Sequence, residues 1–175
     1  MDPIAPNQAG PALRAPHSLR WILFSFTLSL VFLFFPWHGT GLLLRPDVTA
    51  LLVVYWGVFE PVLVGNGTIF VLGLLSDTAS SHVLGVHALS YSLLFTLVQY
   101  YRPRILSFYR LNQMLHVLML LMVTQLTDGV VEWVLGYAWP DWIWWLQPAI
   151  GALGWLFLPS LLERSPRSGD TPKSL

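Results

Sequence analysis

The sequence predicts an all-α integral membrane protein, a bundle of six transmembrane helices with both termini in the cytoplasm. Residues of the set AVILMFWYC make up 55% of the 175 residues and charged residues only 10%, whereas soluble domains carry about 25% charged residues. A formal net charge of zero gives no sign of a nucleic-acid partner. Cysteine is absent, which excludes disulfides, thiolate metal sites and a cysteine nucleophile.

The positions of the nine basic residues set the predicted topology. With six spans, eight of them lie before or at the start of the first span, between the fourth and fifth spans, or after the last. Cationic segments resist translocation and stay in the cytoplasm. Only Arg45 falls in a segment that alternation places outside, so we expect both termini inside.

The six predicted spans follow the apolar runs. They cover residues 20–37, 48–59, 68–81, 86–101, 112–135 and 142–162. Together they form a membrane domain over 20–163. A disordered, proline-rich cytoplasmic tail is expected at 1–19, and a polar cytoplasmic tail at 164–175.

Local signals mark the ends of these spans. Trp37 ends the first span at headgroup level, and Pro46 with Asp47 is typical of a helix start. The second and third spans are short for a bilayer that needs about 20 residues, so this pair could be tilted, shielded by neighbours or partly re-entrant. Two full crossings are favoured because they keep the basic segment 102–110 inside. Aromatic residues bound the fourth, fifth and sixth spans.

Asp77 is the most informative of four acidic residues within or at the ends of spans, the others being Glu60, Asp128 and Glu132. On a helix it shares a face with Gly73 and Ser80, and small residues let helices approach closely in lipid. A buried carboxylate is costly there, so a structural hydrogen bond is the first interpretation. A partner or ligand contact and proton or ion handling are the alternatives.

Asp128 and Glu132 are four residues apart and therefore neighbours on one helix face. Two ionised carboxylates would repel, which favours a shared proton or a cationic partner. The simpler alternative is a wetted outer cavity or interfacial capping. Arg45, the one outer cation, could pair with Asp77 or Asp128, or contact lipid phosphates.

Catalytic and metal chemistry find little support in the sequence. His82 and His87 are five residues apart, a spacing that does not align two ligands on one helix. No hydrolase elbow, P-loop or zinc-protease helix is present. We therefore expect no catalytic residues, no metal and no cofactor.

The central third of the chain resembles a known bacterial family. The matching residues are Arg45-Pro46-Asp47, Tyr55-Trp56, Gly67-Thr68, Gly73-Leu74, Asp77 and Leu84-Gly85-Val86-His87-Ala88-Leu89. They resemble the rod shape-determining family MreD, and the resemblance covers roughly residues 20–163. The candidate structural or partner-contact residues are Arg45, Gly73, Asp77, Ser80, Gly85, His87, Asp128 and Glu132.

The resemblance implies a non-enzymatic scaffold of the cell-elongation machinery in the bacterial inner membrane, crossing it several times. Its implied partners are MreC, the MreB filament, the glycosyltransferase RodA, a class B penicillin-binding protein and membrane lipids. MreD-like proteins also resemble the six-helix substrate-binding subunits of energy-coupling vitamin transporters. That likeness keeps open a small-molecule (vitamin-like) binding subunit, which needs an outward pocket that Arg45, Asp77, His87 and Asp128 could supply.

Overall fold

The computed structural model describes residues 17–80 and 83–162, and this part of the chain is all-helical. The predicted tails lie outside the described residues except at 17–19, and so does His82. The helices are α1 (Leu19–Phe34), α2 (Thr40–Leu43), α3 (Val48–Phe59), α4 (Asn66–Ser80), α5 (Val86–Ser107), α6 (Arg110–Val134), a 3-10 turn at Trp144–Leu146, α7 (Gln147–Trp155) and α8 (Leu158–Leu162).

Helix α3 is the centre of the bundle, since every residue from 49 to 58 is buried. A helix that is apolar all round is expected in such a position. Its 12 residues extend about 18 Å at roughly 1.5 Å per residue, well short of a hydrocarbon layer of about 30 Å. The neighbouring helices therefore enclose α3 instead of leaving it to face lipid along its length.

Two polar contacts join α1 to α3. The indole N–H of Trp56 donates to the hydroxyl of Ser25 at 2.9 Å, and the hydroxyl of Thr49 donates to that of Ser29 at 3.2 Å. The small serines allow close approach, and hydrogen bonds between helices replace the hydrophobic effect that lipid cannot supply.

At the other end of α3, side chains of α5 satisfy its last carbonyl groups. Gln99 donates to the carbonyl of Gly57 at 3.0 Å and Arg102 to that of Val58 at 2.7 Å. Helix ends carry unpaired carbonyls that need such partners. Beside them, the Glu60 carboxylate accepts from the backbone N–H of His17 at 2.9 Å and lies 2.8 Å from its ring nitrogen Nδ1.

The sixth predicted span is broken in the structure. A 3-10 turn precedes α7, and residues 156–157 separate α7 from α8. Proline explains both starts: Pro148 lies in the first turn of α7, and Pro159 has no N–H to bond the carbonyl of Trp155. The prediction of one continuous helix over 142–162 was therefore wrong, whereas the second predicted span coincides with α3.

Length and composition qualify one described helix, α6, to cross a membrane, and α1 and α3 are shorter apolar helices. Large apolar side chains nevertheless stand exposed around the bundle. On α1 they include Leu23, Phe24, Leu28 and Val31, and on α6 Leu115, Met119, Met122 and Leu126. Such extensive apolar surface is rare on soluble monomers.

Candidate functional site

A cluster of polar side chains lies at the end of the bundle where α1, α4 and α6 end and α5 begins. We call this the cavity end. It holds Arg45, Asp47, Asp77, His87 and Asp128. In the predicted topology it faces outward.

Asp77 is 1% exposed and is used entirely as a hydrogen-bond acceptor. One carboxylate oxygen accepts from the backbone N–H of Gly85 at 2.7 Å. The other accepts from the backbone N–H of His87 at 2.8 Å and lies 2.9 Å from its ring nitrogen Nδ1. Asp77 on α4 thus caps the first turn of α5 across the interface, where the unpaired N–H groups of a helix start favour a negative charge.

Two glycines make this cap possible. Gly85 precedes α5 with φ at +107°, a left-handed conformation that other residues rarely adopt. Gly73, one turn before Asp77, lies against α5, and a Cβ there would come within 2.7 Å of the His87 carbonyl oxygen and overlap the backbone of Ala88. The backbones of α4 and α5 therefore touch, which brings the Asp77 carboxylate to the N–H groups it accepts from.

Asp47 forms a second polar contact between helices, in this case between α3 and α5. One of its oxygens accepts from the backbone N–H of Ala50 at 2.8 Å, which makes it the N-cap of α3. The other accepts from the hydroxyl of the fully buried Tyr91 at 2.7 Å. The helix start expected from Pro46 and Asp47 is present, because α3 begins at Val48.

A cavity of about 550 Å³ opens among these groups. Its polar lining is Arg45, Asp47, His87, Gln125, Asp128, Glu132 and Gln147, and its apolar lining includes Leu33, Phe34, Trp37, Pro140 and Trp144. Gln125 donates to the carbonyl of Trp144 at 3.1 Å, which fixes the segment before α7 against α6.

Asp128 is buried in the wall of this cavity. It is 7% exposed, and the hydroxyl of Ser90 reaches its carboxylate. Its oxygen Oδ1 is buried and has no hydrogen-bond partner within the described residues. Glu132, one turn further on α6, lines the same cavity and is half-buried.

Arg45 takes neither of the carboxylate partners considered for it. Its guanidinium donates to the carbonyl of Leu33 near the end of α1 at 3.0 Å, and within the described residues no ion pair joins it to Asp77 or Asp128. Burial lowers the pKa of Arg45, and the nearby Asp47 carboxylate acts in the opposite direction. A guanidinium stays charged in proteins, so Arg45 contributes a fixed positive charge to the cavity.

The structure thus divides the residues singled out from the sequence into two groups. Gly73, Asp77, Gly85 and His87 form the contact between α4 and α5. Arg45, His87, Asp128 and Glu132 line the cavity. Ser80 ends α4, and its side chain lies outside the described part of the structure.

Four residues of the cavity end were not predicted from the sequence as site members: Asp47, Tyr91, Gln125 and Trp144. Asp47 was interpreted as a helix start and as part of the matching motif, without a partner on α5, and a tyrosine within an apolar span gives no sign of its distant partner. Gln125 lies one turn before Asp128 on the polar stripe of α6, which is the signal that could have found it. No group of three or more His, Cys, Asp or Glu side chains in the described ranges is placed to hold a metal ion.

Comparison with known proteins identifies the family. A sequence model of the family described as rod shape-determining protein MreD matches residues 17–164. The chain belongs to the MreD family. The rod shape-determining protein MreD of Haemophilus influenzae is 32% identical over 150 residues, which cover 80% of this chain and 89% of that relative. No solved structure matches the chain.

Membership of the MreD family implies a role in the determination of rod shape. MreD proteins are a membrane protein family with a structural function and are not known as enzymes. The polar contacts described above, which hold α3, α4 and α5 together, are therefore part of the architecture of an MreD-family bundle.

Proposed function

We propose that this chain is a non-enzymatic scaffold of the cell-elongation machinery that maintains rod shape by binding MreC. Through MreC it links the wall synthases, RodA and a class B penicillin-binding protein, to the MreB filament. Membership of the MreD family is the observation that carries this proposal. The use of Asp77 supports a structural function, because a carboxylate that already accepts from several N–H groups is a poor general base.

The scaffold crosses the bacterial inner membrane six times, with cytoplasmic tails at 1–19 and 164–175. The asymmetry of the basic residues supports this topology, and so do the exposed apolar side chains of α1 and α6. A phosphatase fused after Leu175 should be inactive, whereas one inserted near Gly39 should be active. Active phosphatase at the C-terminus would contradict an even number of spans.

Depletion tests the cellular role. In a rod-shaped host with no second copy, loss of the protein should give round cells, because wall synthesis would lose its link to MreB. Restoring the wild-type gene should restore rods. Cells that stay rod-shaped through full depletion would refute the proposal.

Co-purification tests the partner. The tagged full-length chain, extracted in mild detergent, should retain MreC, and RodA and the penicillin-binding protein should follow only when MreC is present. The matched control is the same tag on an unrelated six-span protein. If MreC is absent from the purified material while the protein remains folded, the scaffold proposal fails at its first step.

The cavity supports a second candidate function, a small-molecule binding subunit of a membrane transporter. Its volume of about 550 Å³ lies in the range of ligand sites, roughly 300–1,000 Å³. Uptake separates the two functions: a transporter subunit predicts that depletion lowers uptake of a vitamin-like solute in cells that keep their rod shape.

A further inference from the structure

The end of the bundle opposite the cavity carries an excess of positive charge. At this end α3 and α5 end and α1 and α6 begin, and we call it the basic end. One of the six described acidic residues, Glu60, lies there. Four of the five described arginines lie there as well: Arg20, Arg102, Arg104 and Arg110. The histidines of this end, His17 and His116, add no negative charge.

The excess of positive charge persists when the two tails are included. In the predicted topology the cytoplasmic side holds eight basic residues against four acidic ones, which are Asp2, Glu60, Glu163 and Asp170. The Glu60 carboxylate already accepts from the backbone N–H of His17, and within the described residues no arginine of the basic end forms an ion pair. Such a surface attracts an anionic partner.

Two of these arginines are exposed and flank the turn between α5 and α6. Arg104 lies in the last turn of α5, and Arg110 begins α6. The Nη1 group of Arg110 donates to the hydroxyl of Ser160 on α8 at 2.8 Å, which orients the guanidinium. A guanidinium has five N–H donors, so this contact occupies a small part of its capacity. Arg102 differs, because it is half-buried and its Nε donates to the carbonyl of Val58.

Exposed apolar side chains continue from Arg110 along the outside of α6. Tyr109, the residue before it, is 89% exposed, and an exposed tyrosine is typical of the headgroup level of a membrane. Leu111, Leu115 and Met119 are also exposed, and their spacing of four places them on one face of the helix. An acidic protein segment would leave this stripe uncovered, whereas a phospholipid joins an anionic headgroup to apolar chains.

We propose that the basic end binds an anionic phospholipid, with its phosphate on Arg104 and Arg110 and an acyl chain along the apolar stripe of α6. Guanidinium groups match phosphate oxygens in both charge and geometry. The headgroup must carry a net negative charge, because the ammonium group of a zwitterionic headgroup is repelled by the arginines. The family resemblance implies membrane lipids as partners in general and names neither a headgroup nor a site. The site requires helices embedded in the inner leaflet, so the inference rests on the proposed membrane topology but not on MreC binding.

Two lipids with the same acyl chains test the headgroup requirement. The full-length protein in mild detergent is titrated with phosphatidylglycerol, which is anionic, or with phosphatidylcholine, which is zwitterionic, and bound lipid is counted by native mass spectrometry. Phosphatidylglycerol should bind roughly 25-fold more tightly, because each arginine near an anionic membrane surface contributes roughly fivefold. Higher ionic strength should reduce this preference, since exposed charges are screened.

Substitutions locate the contact. Arg104→Gln and Arg110→Gln should each lower the affinity for phosphatidylglycerol roughly fivefold and leave that for phosphatidylcholine unchanged, whereas Arg104→Lys keeps the charge and should retain most of the preference. Ser160→Ala removes the contact of Arg110 with α8 but keeps both charges, so it should retain the preference too. Arg45→Gln removes one guanidinium from the cavity end and should have no effect. Circular dichroism checks that the helices of each variant are intact.

Three outcomes would overturn the proposal. The first is equal affinity for the two lipids, and the second is an unchanged preference in a folded variant that carries both Arg104→Gln and Arg110→Gln. The third concerns an acidic protein partner: if a hexaglutamate peptide binds through these arginines while phosphatidylglycerol shows no preference, the basic end docks a protein. Any of these results would leave the phosphatase fusions and the rod-shape phenotype of depletion untouched, so the proposals fail separately.

Discussion

Two buried carboxylates at the cavity end, Asp77 and Asp128, resemble each other in sequence context and differ in the structure. Both lie in apolar helices, and they are 1% and 7% exposed. Asp77 accepts from the backbone of Gly85 and from the backbone and ring of His87. Asp128 keeps a buried oxygen without a donor within the described residues.

The difference shows that burial alone does not reveal the role of a membrane carboxylate. A carboxylate whose oxygens accept hydrogen bonds from backbone N–H groups stabilises the fold, because its removal leaves those donors without an acceptor. A buried carboxylate with an unsatisfied oxygen costs free energy and does not hold other groups in place through that oxygen. Substitution of Asp77 should therefore lower the free energy of unfolding, whereas substitution of Asp128 should leave it unchanged or raise it.

The largest expected effect is that of Asp77→Leu. It leaves the part-buried N–H groups of Gly85 and His87 without their acceptor, and breaking the contact of the buried Asp77 carboxylate should cost about 3–5 kcal/mol. Asp77→Asn keeps one oxygen but turns an NH2 group toward a donor, so it should cost less, about 1–3 kcal/mol. SDS titration of the detergent-solubilised protein measures both.

Equal stability of wild type and Asp77→Leu would show that the cap on α5 does not stabilise the fold. Asp77 would then not differ from Asp128 in its contribution to stability. If the Asn variant instead fails as badly as the Leu variant, the charge of Asp77 and its pair with His87 matter more than the backbone donors.

The second largest effect is expected for Gly73→Ala. The added Cβ would overlap the backbone of Ala88, which cannot move aside as a flexible side chain would, so we expect a loss of about 3 kcal/mol. The matched control is Gly67→Ala, on the same helix, where no atom lies within 4 Å of the new Cβ. A similar stability of the two variants would mean that α4 and α5 do not approach this closely.

How far the sequence predicts the structure depends on the distance between partners. The Gly73 and Asp77 face was predictable because both lie on one helix at a spacing of four. The cap on Gly85 and His87 was not, since it joins residues eight and ten positions apart across a turn. Helix α3 was predicted to the residue because Asp47 caps its start and Pro61 follows its end.

Other features could not be obtained from local patterns. The cavity depends on Arg45, on residues of α6 and on the segment before α7, which only the tertiary packing brings together. The break in the sixth span was missed because apolar character over 142–162 outweighed Pro148 and Pro159. Proline in a membrane helix is compatible with a kink as well as with the start of a new helix. Packing against the neighbouring helices decides which of the two structures forms.

A smaller effect, about 1 kcal/mol of destabilisation, is expected for Tyr91→Phe. The variant removes the hydroxyl that donates to Asp47, and its contact with Ser76. Asp47 then resembles Asp128, with one oxygen satisfied by the cap on Ala50 and the other without that donor. Tyr100→Phe, at a position 77% exposed, is the control and should change stability by less than about 0.5 kcal/mol. Equal stability of the two variants would show that the hydrogen bond between Tyr91 and Asp47 does not stabilise the fold.

The smallest effect, and the only one that is not a loss of stability, is expected for Asp128→Asn. Its buried oxygen Oδ1 has no donor within the described residues, so replacing the carboxyl group should leave the free energy of unfolding unchanged or raise it by up to about 1 kcal/mol. SDS titration alongside Asp77→Asn measures this, with the exposed Asp141→Asn as the control for net charge. A loss of stability as large as that of Asp77→Asn would show that the Asp128 carboxyl group also accepts stabilising hydrogen bonds in the folded protein. The two carboxylates would then have the same structural role.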